Sequence, residues 1–403
     1  MASPGRVLHL SENLPLPFDR RVWMELNALR GGGWEVSAIC PMGDAWTKPH
    51  EVIDGIHVWR YPPPPPAHGF LSYAWEFLYC FLQTARLSLV VAARRGFDVV
   101  HSANPPDTFW ALAAVYKAFG KKYVFDHHDL CPELYLSRFG AEREDSLPHR
   151  VLRWLERAQF RTADLVISTN ESYRQVAIDR GGVPPERVFV VRSGPSRERF
   201  ATLREPDASL RRGRRHLVAY LGVMAPQDGV DHLLRAARIL ADRGRDDVAY
   251  TLVGSGDSFE ELRTMARELG LGDAVEFTGR VPDETVERIL ATADVCVVPD
   301  PLNPLNDVST MNKVLEYMAC GRPMAAYDLR EHRYSAGEGA LYAEPNREDR
   351  LADRIAELLD DPALRERMGA YNRKRFLEAM AWEYSAGELL RAYRTLCGPN
   401  RNG

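Results

Sequence analysis

Residues 304–323 read PLNDVSTMNKVLEYMACGRP, and the β-branched run VCVVPDP at 295–301 leads into them. A strand that opens into a loop and then into a helix is one step of a parallel sheet with crossover helices. In such sheets ligands bind outside the carboxyl ends of the strands, so this helix opens onto a binding edge. Ser309 is placed to cap it, which would leave the first-turn N–H groups and the helix dipole facing an anion. Lys313 adds a mobile positive charge and Glu316 stands one turn further in. The arrangement suits a nucleotide diphosphate.

Working outward, the same alternation fills the chain. Before the stretch come HLVAYLG, a helix over 230–242, VAYTLVGSG, a helix over 259–269, AVEFTG and a helix over 284–292; after it come PMAAYD and ALYAEP. The first half repeats the pattern with RVLHLS, a helix over 19–30, WEVSAIC, GIHVWRY, a long helix from Phe70, FDVVHSA, a helix from Thr108, KKYVFDHH, ADLVISTN, a helix over 171–180 and RVFVVRSG. This is α/β throughout, two Rossmann-like doubly wound domains in series. The run Pro62–Pro66 forms a stiff extended connector, and the arginine-rich PSRERFATLREPDASLRRGRRH reads as an interdomain linker. The expected divisions are an N-terminal domain at 1–195, a linker at 196–215, a C-terminal domain at 216–380 and a helix at 381–403. Trp382, Tyr384, Leu389, Leu390 and Tyr393 would give that last helix one apolar face to bury against the first domain.

The chain has 403 residues and a formal net charge of -4, with local arginine clusters in a balanced whole. No nucleic-acid binder is indicated. Six cysteines lie scattered without metal-ligand spacing, which suits reduced thiols in the cytoplasm. The start MASPGRVLHL has no long apolar region of the signal-peptide kind. FLSYAWEFLYCFLQTARLSLVVAARR, from Phe70, is long and aromatic but interrupted by Glu76, Gln83 and Arg86. It reads as a buried domain helix, with contact at the inner face of a membrane as the alternative.

Several loops at the binding edge carry suggestive residues. Gly222 and Gly229 flank the loop after the second half's first strand, and Gly254 and Gly256 lie between a strand and a helix, where they permit close backbone approach to a ligand. A tight βα turn is the plainer reading of the same glycines. In the first half Asp126, His127, His128 and Asp129 leave a strand together. Adjacent residues of an extended segment point to opposite sides, so the histidines make a poor metal pair and no metal site is expected. A histidine hydrogen-bonded to a polar substrate fits better.

The ordered set LGVMAPQDGVDHLLRAARIL, LVGSGD, VEFTGRVPDETVERILATADVCVVPDPLN and NKVLEYMACGRPMAAYD resembles the donor-binding half of a retaining family 4 glycosyltransferase of the GT-B fold. PFDRRVWMELNALRGGGWEVSAICP, DHHDLCPEL and ISTNESYRQVAIDRGGVPPERVFVVRSGPSRERF resemble its other half, and the likeness is nearest to a branch associated with surface polysaccharides. The resemblance implies two domains facing a cleft and a metal-independent sugar transfer with retention. The donor would be a nucleoside diphosphate sugar, UDP favoured and GDP open, serving as co-substrate with no other cofactor. The acceptor would be a glycan, a lipid-linked glycan or a small natural product. Position by position, Glu316 matches the glutamate that bonds the ribose hydroxyls, and Gly279, Arg280 and Val281 the turn along which the base lies. Ser309 and Thr310 match the helix start that meets the phosphates, Gly254 and Gly256 the loop beside the nucleotide, and His128 the histidine near the donor sugar.

Departures accompany the matches. The family's arginine and lysine positions in the loop after the second domain's first strand hold Val223 and Asp228, and its first paired glutamate is Val308, beside Asp307. The resemblance therefore implies a rebuilt phosphate clamp, drawn from Lys313, Arg280 and, in the first domain, Arg20 or Arg21. Expected catalytic residues are His128, Lys313 and Asp307; those near the acceptor are Asp19, Arg20, Arg21 and His127. The competing readings are a sugar-nucleotide 2-epimerase of the same architecture and a non-catalytic partner protein that has lost the clamp.

Overall fold

The computed structural model describes residues 4–64 and 70–397, and of residues 70–74 and 397 the backbone alone. Pro65 and Pro66 of the expected proline connector lie outside the described residues. The described residues form two compact units, one of those up to 192 together with 385–397, the other of 193–384.

The first unit is built on strands β1 (Arg6–Leu10), β2 (Glu35–Pro41), β3 (His50–Ile53), β4 (Ile56–Tyr61), β5 (Val99–Ala103), β6 (Lys122–His127), β7 (Leu165–Ser168) and β8 (Val188–Val190). Their order is β3-β4-β2-β1-β5-β6-β7-β8. Every pairing is parallel except the β3–β4 hairpin. Sequence reading misses β3, although Asp54-Gly55, both with positive φ, is a good two-residue hairpin turn. The inner strands are buried on both faces, which is why they read as unbroken apolar runs.

Its helices are α1 (Arg20–Gly31), α2 (Phe70–Arg94), α3 (Trp110–Ala118), α4 (Cys131–Phe139), α5 (Leu147–Thr162) and α6 (Glu171–Asp179). α4 and α5 occupy a stretch to which sequence reading assigns no element. Nor is α2 the buried helix expected. By length and composition its residues 75–94 could cross a membrane, and only 28% of that window is buried. Cys80, Thr84, Leu87, Ser88 and Val91 are buried on one side, and Trp75, Leu78, Leu82 and Leu89 stand exposed on the other.

The second unit carries β9 (His216–Leu221), β10 (Val248–Val253), β11 (Val275–Gly279), β12 (Val295–Val298), β13 (Met324–Tyr327) and β14 (Ala340–Ala343). The order is β11-β10-β9-β12-β13-β14, all parallel. Between them run α7 (Val230–Asp242), α8 (Phe259–Glu268), α9 (Asp283–Thr292), α10 (Asn312–Ala319) and α11 (Arg330–Ala336), and after them α12 (Glu348–Asp360) and α13 (Pro362–Arg375). Strand order turns back between β9 and β12, and in doubly wound sheets that switch point is where ligands bind.

The expected linker is part of this unit. Phe200 is buried in its core, Arg211 pairs with Asp294, and Arg212 donates to the carbonyls of Tyr250 and Ala274 at 2.9 and 3.0 Å. Arginines that look solvated in sequence fasten strand ends here.

The final helix, α14 (Trp382–Cys397), begins in the second unit and belongs to the first from Ser385 onward. Leu389 and Tyr393 are buried, and the Tyr393 hydroxyl lies 2.8 Å from His101 Nδ1. Its ring meets Trp34 edge-on at 5.1 Å. Tyr384, expected on the same apolar face, is instead exposed.

Candidate functional site

In the second unit three loops knit together at the carboxyl ends of β9, β10 and β11. The N–H of Gly222 donates to the Val253 carbonyl at 3.0 Å, that of Gly254 to Gly279 at 3.0 Å, and that of Met224 to Ser255 at 3.2 Å. A Cβ on Gly254 would collide with the Gly222 carbonyl and one on Gly256 with the Met224 carbonyl; Gly254 also has φ +128°. These glycines allow loop to meet loop. The tight βα turn read from sequence accounts for this packing.

Lys313 is not the mobile cation expected. It is buried on α10, with Nζ 2.7 Å from Asp300 Oδ1, 3.9 Å from Asp228 Oδ1 and 4.9 Å from the centre of the Tyr220 ring. Asp300 is itself fully buried just beyond β12. Burial raises the Asp228 carboxyl to about 6, with Lys313 opposing the shift and Asp300 adding to it. One ammonium is thus shared between two carboxylates at the switch point.

The loop before α10 also departs from expectation. Ser309 does not cap α10; its hydroxyl donates to the Leu305 carbonyl at 2.7 Å, and α10 starts from Met311 with no side-chain cap. Asp307 accepts from the backbone N–H of Arg330 at 2.9 Å and so ties this loop to α11. The Thr310 hydroxyl donates to Glu331 at 3.3 Å. Glu316 Oε1 lies 3.5 Å from Nη1 of Arg199, whose guanidinium also approaches Glu287 at 3.6 Å and Asp283 at 3.7 Å. Sequence reading missed Arg199 by assigning it to a linker. Arg280 is exposed just after β11, and Val281 beside it is half-buried.

In the first unit the alternation of an extended segment separates the two histidines. His127 turns inward, its ring 5.0 Å from Phe160, 5.3 Å from Tyr173 and 5.5 Å from Phe125. Burial pushes its imidazole down to about 3, so it is a neutral core side chain and not a group near an acceptor. His128 turns outward and stays partly accessible. Its Nε2 lies 2.6 Å from Asp126 Oδ2 and 2.7 Å from Arg21 Nε. That nitrogen can donate to the carboxylate or accept from the guanidinium, one at a time.

Arg21 is equally committed, at 3.1 Å from Asp126, 3.0 Å from Glu25 and 2.9 Å from the Val191 carbonyl. Burial works to raise the Asp126 carboxyl, but His128, Arg21 and His101 outweigh it and hold Asp126 well below the usual range. Glu25 behind it is pushed well up by burial and by Asp126. Asp19 is the N-cap of α1, accepting from Val22 at 3.2 Å, and Arg20 is exposed beside it. His9, Glu25 and His101, and likewise Glu25, Asp126 and His128, bring ligand-type atoms within 4.8 Å of one another. Arg21 already supplies positive charge to that cluster.

Residues 203–375 match the family described as glycosyl transferases group 1, and residues 19–194 the glycosyl transferase 4-like domain. The chain is 28% identical over 250 residues to alpha-D-kanosaminyltransferase of Streptomyces kanamyceticus, covering 59% of this chain and 63%, just under two thirds, of that protein. It is 29% identical over 303 residues to alpha-maltose-1-phosphate synthase of Mycolicibacterium smegmatis, covering 68% and 73%. Sucrose-phosphate synthase from Thermosynechococcus elongatus superposes with a TM-score of 0.77 at 21% identity, over 97% of this chain and 98% of that one. Anabaena HepE in complex with UDP-glucose gives 0.71 at 16% identity, over 97% and 100%.

Proposed function

We propose that this chain, which belongs to the family 4 glycosyltransferases of the GT-B fold, moves a sugar from a nucleoside diphosphate sugar, UDP-linked by preference, to the hydroxyl of a glycan, a lipid-linked glycan or a small natural product. The anomeric configuration is retained. The observation that carries the reading is the convergence of the loops after β9, β10, β11 and β12 at the switch point of the second unit, where α10 brings Lys313, with Glu316 one turn further along the same helix. HepE, which shares the fold, was solved with UDP-glucose, and that favours UDP here.

In this reading Glu316 holds the ribose and the turn at Arg280 and Val281 carries the base. The backbone at Ser309 and Thr310 meets the phosphates. His128, oriented by Asp126 and Arg21, is the first unit's polar group for a sugar hydroxyl. Charge on the departing diphosphate falls to Arg280 and the start of α10, because Lys313 is neutralised by Asp300. The acceptor hydroxyl passes its proton to the leaving phosphate oxygen, so no protein nucleophile is required. The reaction takes place in the cytoplasm.

Thermal melts with UDP, GDP, dTDP and ADP, each with and without magnesium, test it. UDP at about 100 times its dissociation constant should stabilise by roughly 2.7 kcal/mol without magnesium. A shift with GDP alone replaces the donor base. No shift with any of the four overturns the reading.

A further inference from the structure

We propose that α2, α3 and α5 form a face of the first unit that lies in the plane of an anionic lipid surface. The three helices stand side by side. The Ser88 hydroxyl of α2 is 2.7 Å from that of Tyr116 on α3, and Trp110 of α3 meets Trp154 of α5 edge-on at 5.7 Å.

Each helix buries one side and leaves the other both apolar and exposed. On α2 the exposed stripe is Trp75 at 57%, Leu78, Leu82 and Leu89 at 64%; on α5 it is Leu147 at 74%, Val151 and Trp154 at 58%. Val115 of α3 and Phe119 just beyond it continue the surface between them. A soluble chain rarely leaves so many large apolar groups adjacent without something to cover them.

The charges name the cover. Arg150, Arg157 and Arg161 are exposed on α5 among its apolar side chains, and Arg86 and Arg94 are exposed on α2. The only acid on α5, Glu156, is buried and faces Arg180; α3 has none; α2 has only Glu76, half-buried near its start. The exposed acids Glu142, Glu144 and Asp145 belong to the loop before α5, at the edge of this face. Tryptophan, leucine and arginine together on helices held parallel to a surface suit the boundary between lipid headgroups and acyl chains, where arginine stems lie along apolar surface and the heads reach phosphate. The buried side of α2 is fixed to the sheet, so the helix lies on a bilayer and does not cross it. The inference goes beyond the proposed transfer and stands whether or not UDP binds.

Flotation of the purified full chain with vesicles tests it, using phosphatidylcholine alone and phosphatidylcholine mixed with phosphatidylglycerol. Binding about tenfold stronger to the anionic vesicles and weakened by salt is expected. Arg150→Gln with Arg157→Gln should remove that preference, and Leu82→Glu with Trp154→Glu should abolish binding. Circular dichroism and unchanged melting confirm that the variants fold. No binding to either vesicle, equal binding to both, or variants that bind like the parent overturn the proposal. So does a dimer in sedimentation velocity that the Leu82→Glu and Trp154→Glu variant dissolves, since that assigns the face to a second copy.

Discussion

Lys313 and Asp300 form a pair that neither residue could leave cheaply. Removing one partner strands the other charge in the interior, which costs about 3–5 kcal/mol. Lys313→Ala should therefore lower stability by that amount in urea denaturation, and Lys313→Met with Asp300→Leu should recover most of it. The neighbouring Asp228 predicts a pH effect. Its folded-state carboxyl, raised to about 6, holds a proton more tightly than the unfolded chain does. Its contribution to stability is thus full at low pH and lost as pH rises through about 6. An incoming diphosphate favours the protonated form still more, so UDP affinity should fall as pH climbs above about 6. The terminal phosphate of UDP titrates in the same range. Calorimetry of Asp228→Asn against the parent isolates the effect, and the variant should show the shallower pH dependence.

At the scale of elements, strands were the most legible part of the chain, because burial on both faces writes them as short apolar runs between turn residues. Partners of charged residues were not legible. Lys313 looks the same in sequence whether it faces solvent or Asp300, and Arg211 and Arg212 look like linker when they fasten β-strand ends. The glycines were legible as turns but not as to purpose: Gly254 faces Gly222, and a ligand need not come into it. Gly254→Ala should accordingly lower the melting temperature even without nucleotide, through the clash and a φ that L-residues rarely adopt. An alanine variant with normal melting and weakened UDP binding would instead assign that glycine to the ligand.

Across the whole molecule the two-sheet architecture followed from alternation, and the likeness to a sugar-transfer family from ordered motifs. His128 and Arg21 keep a little accessibility, whereas His127 was drawn fully inward by Phe160 and Tyr173, far away in sequence. Such long-range neighbours also explain why the C-terminal helix matters. Tyr393 closes on His101 and Trp34, so the first unit is completed by residues made only after the whole second unit. The intervening unit, Ser193–Tyr384, comes out whole before them. At translation speeds of about 5–20 residues per second, making that insert takes roughly ten to forty seconds. For that interval the first unit stands open at His101, waiting for the helix that completes it.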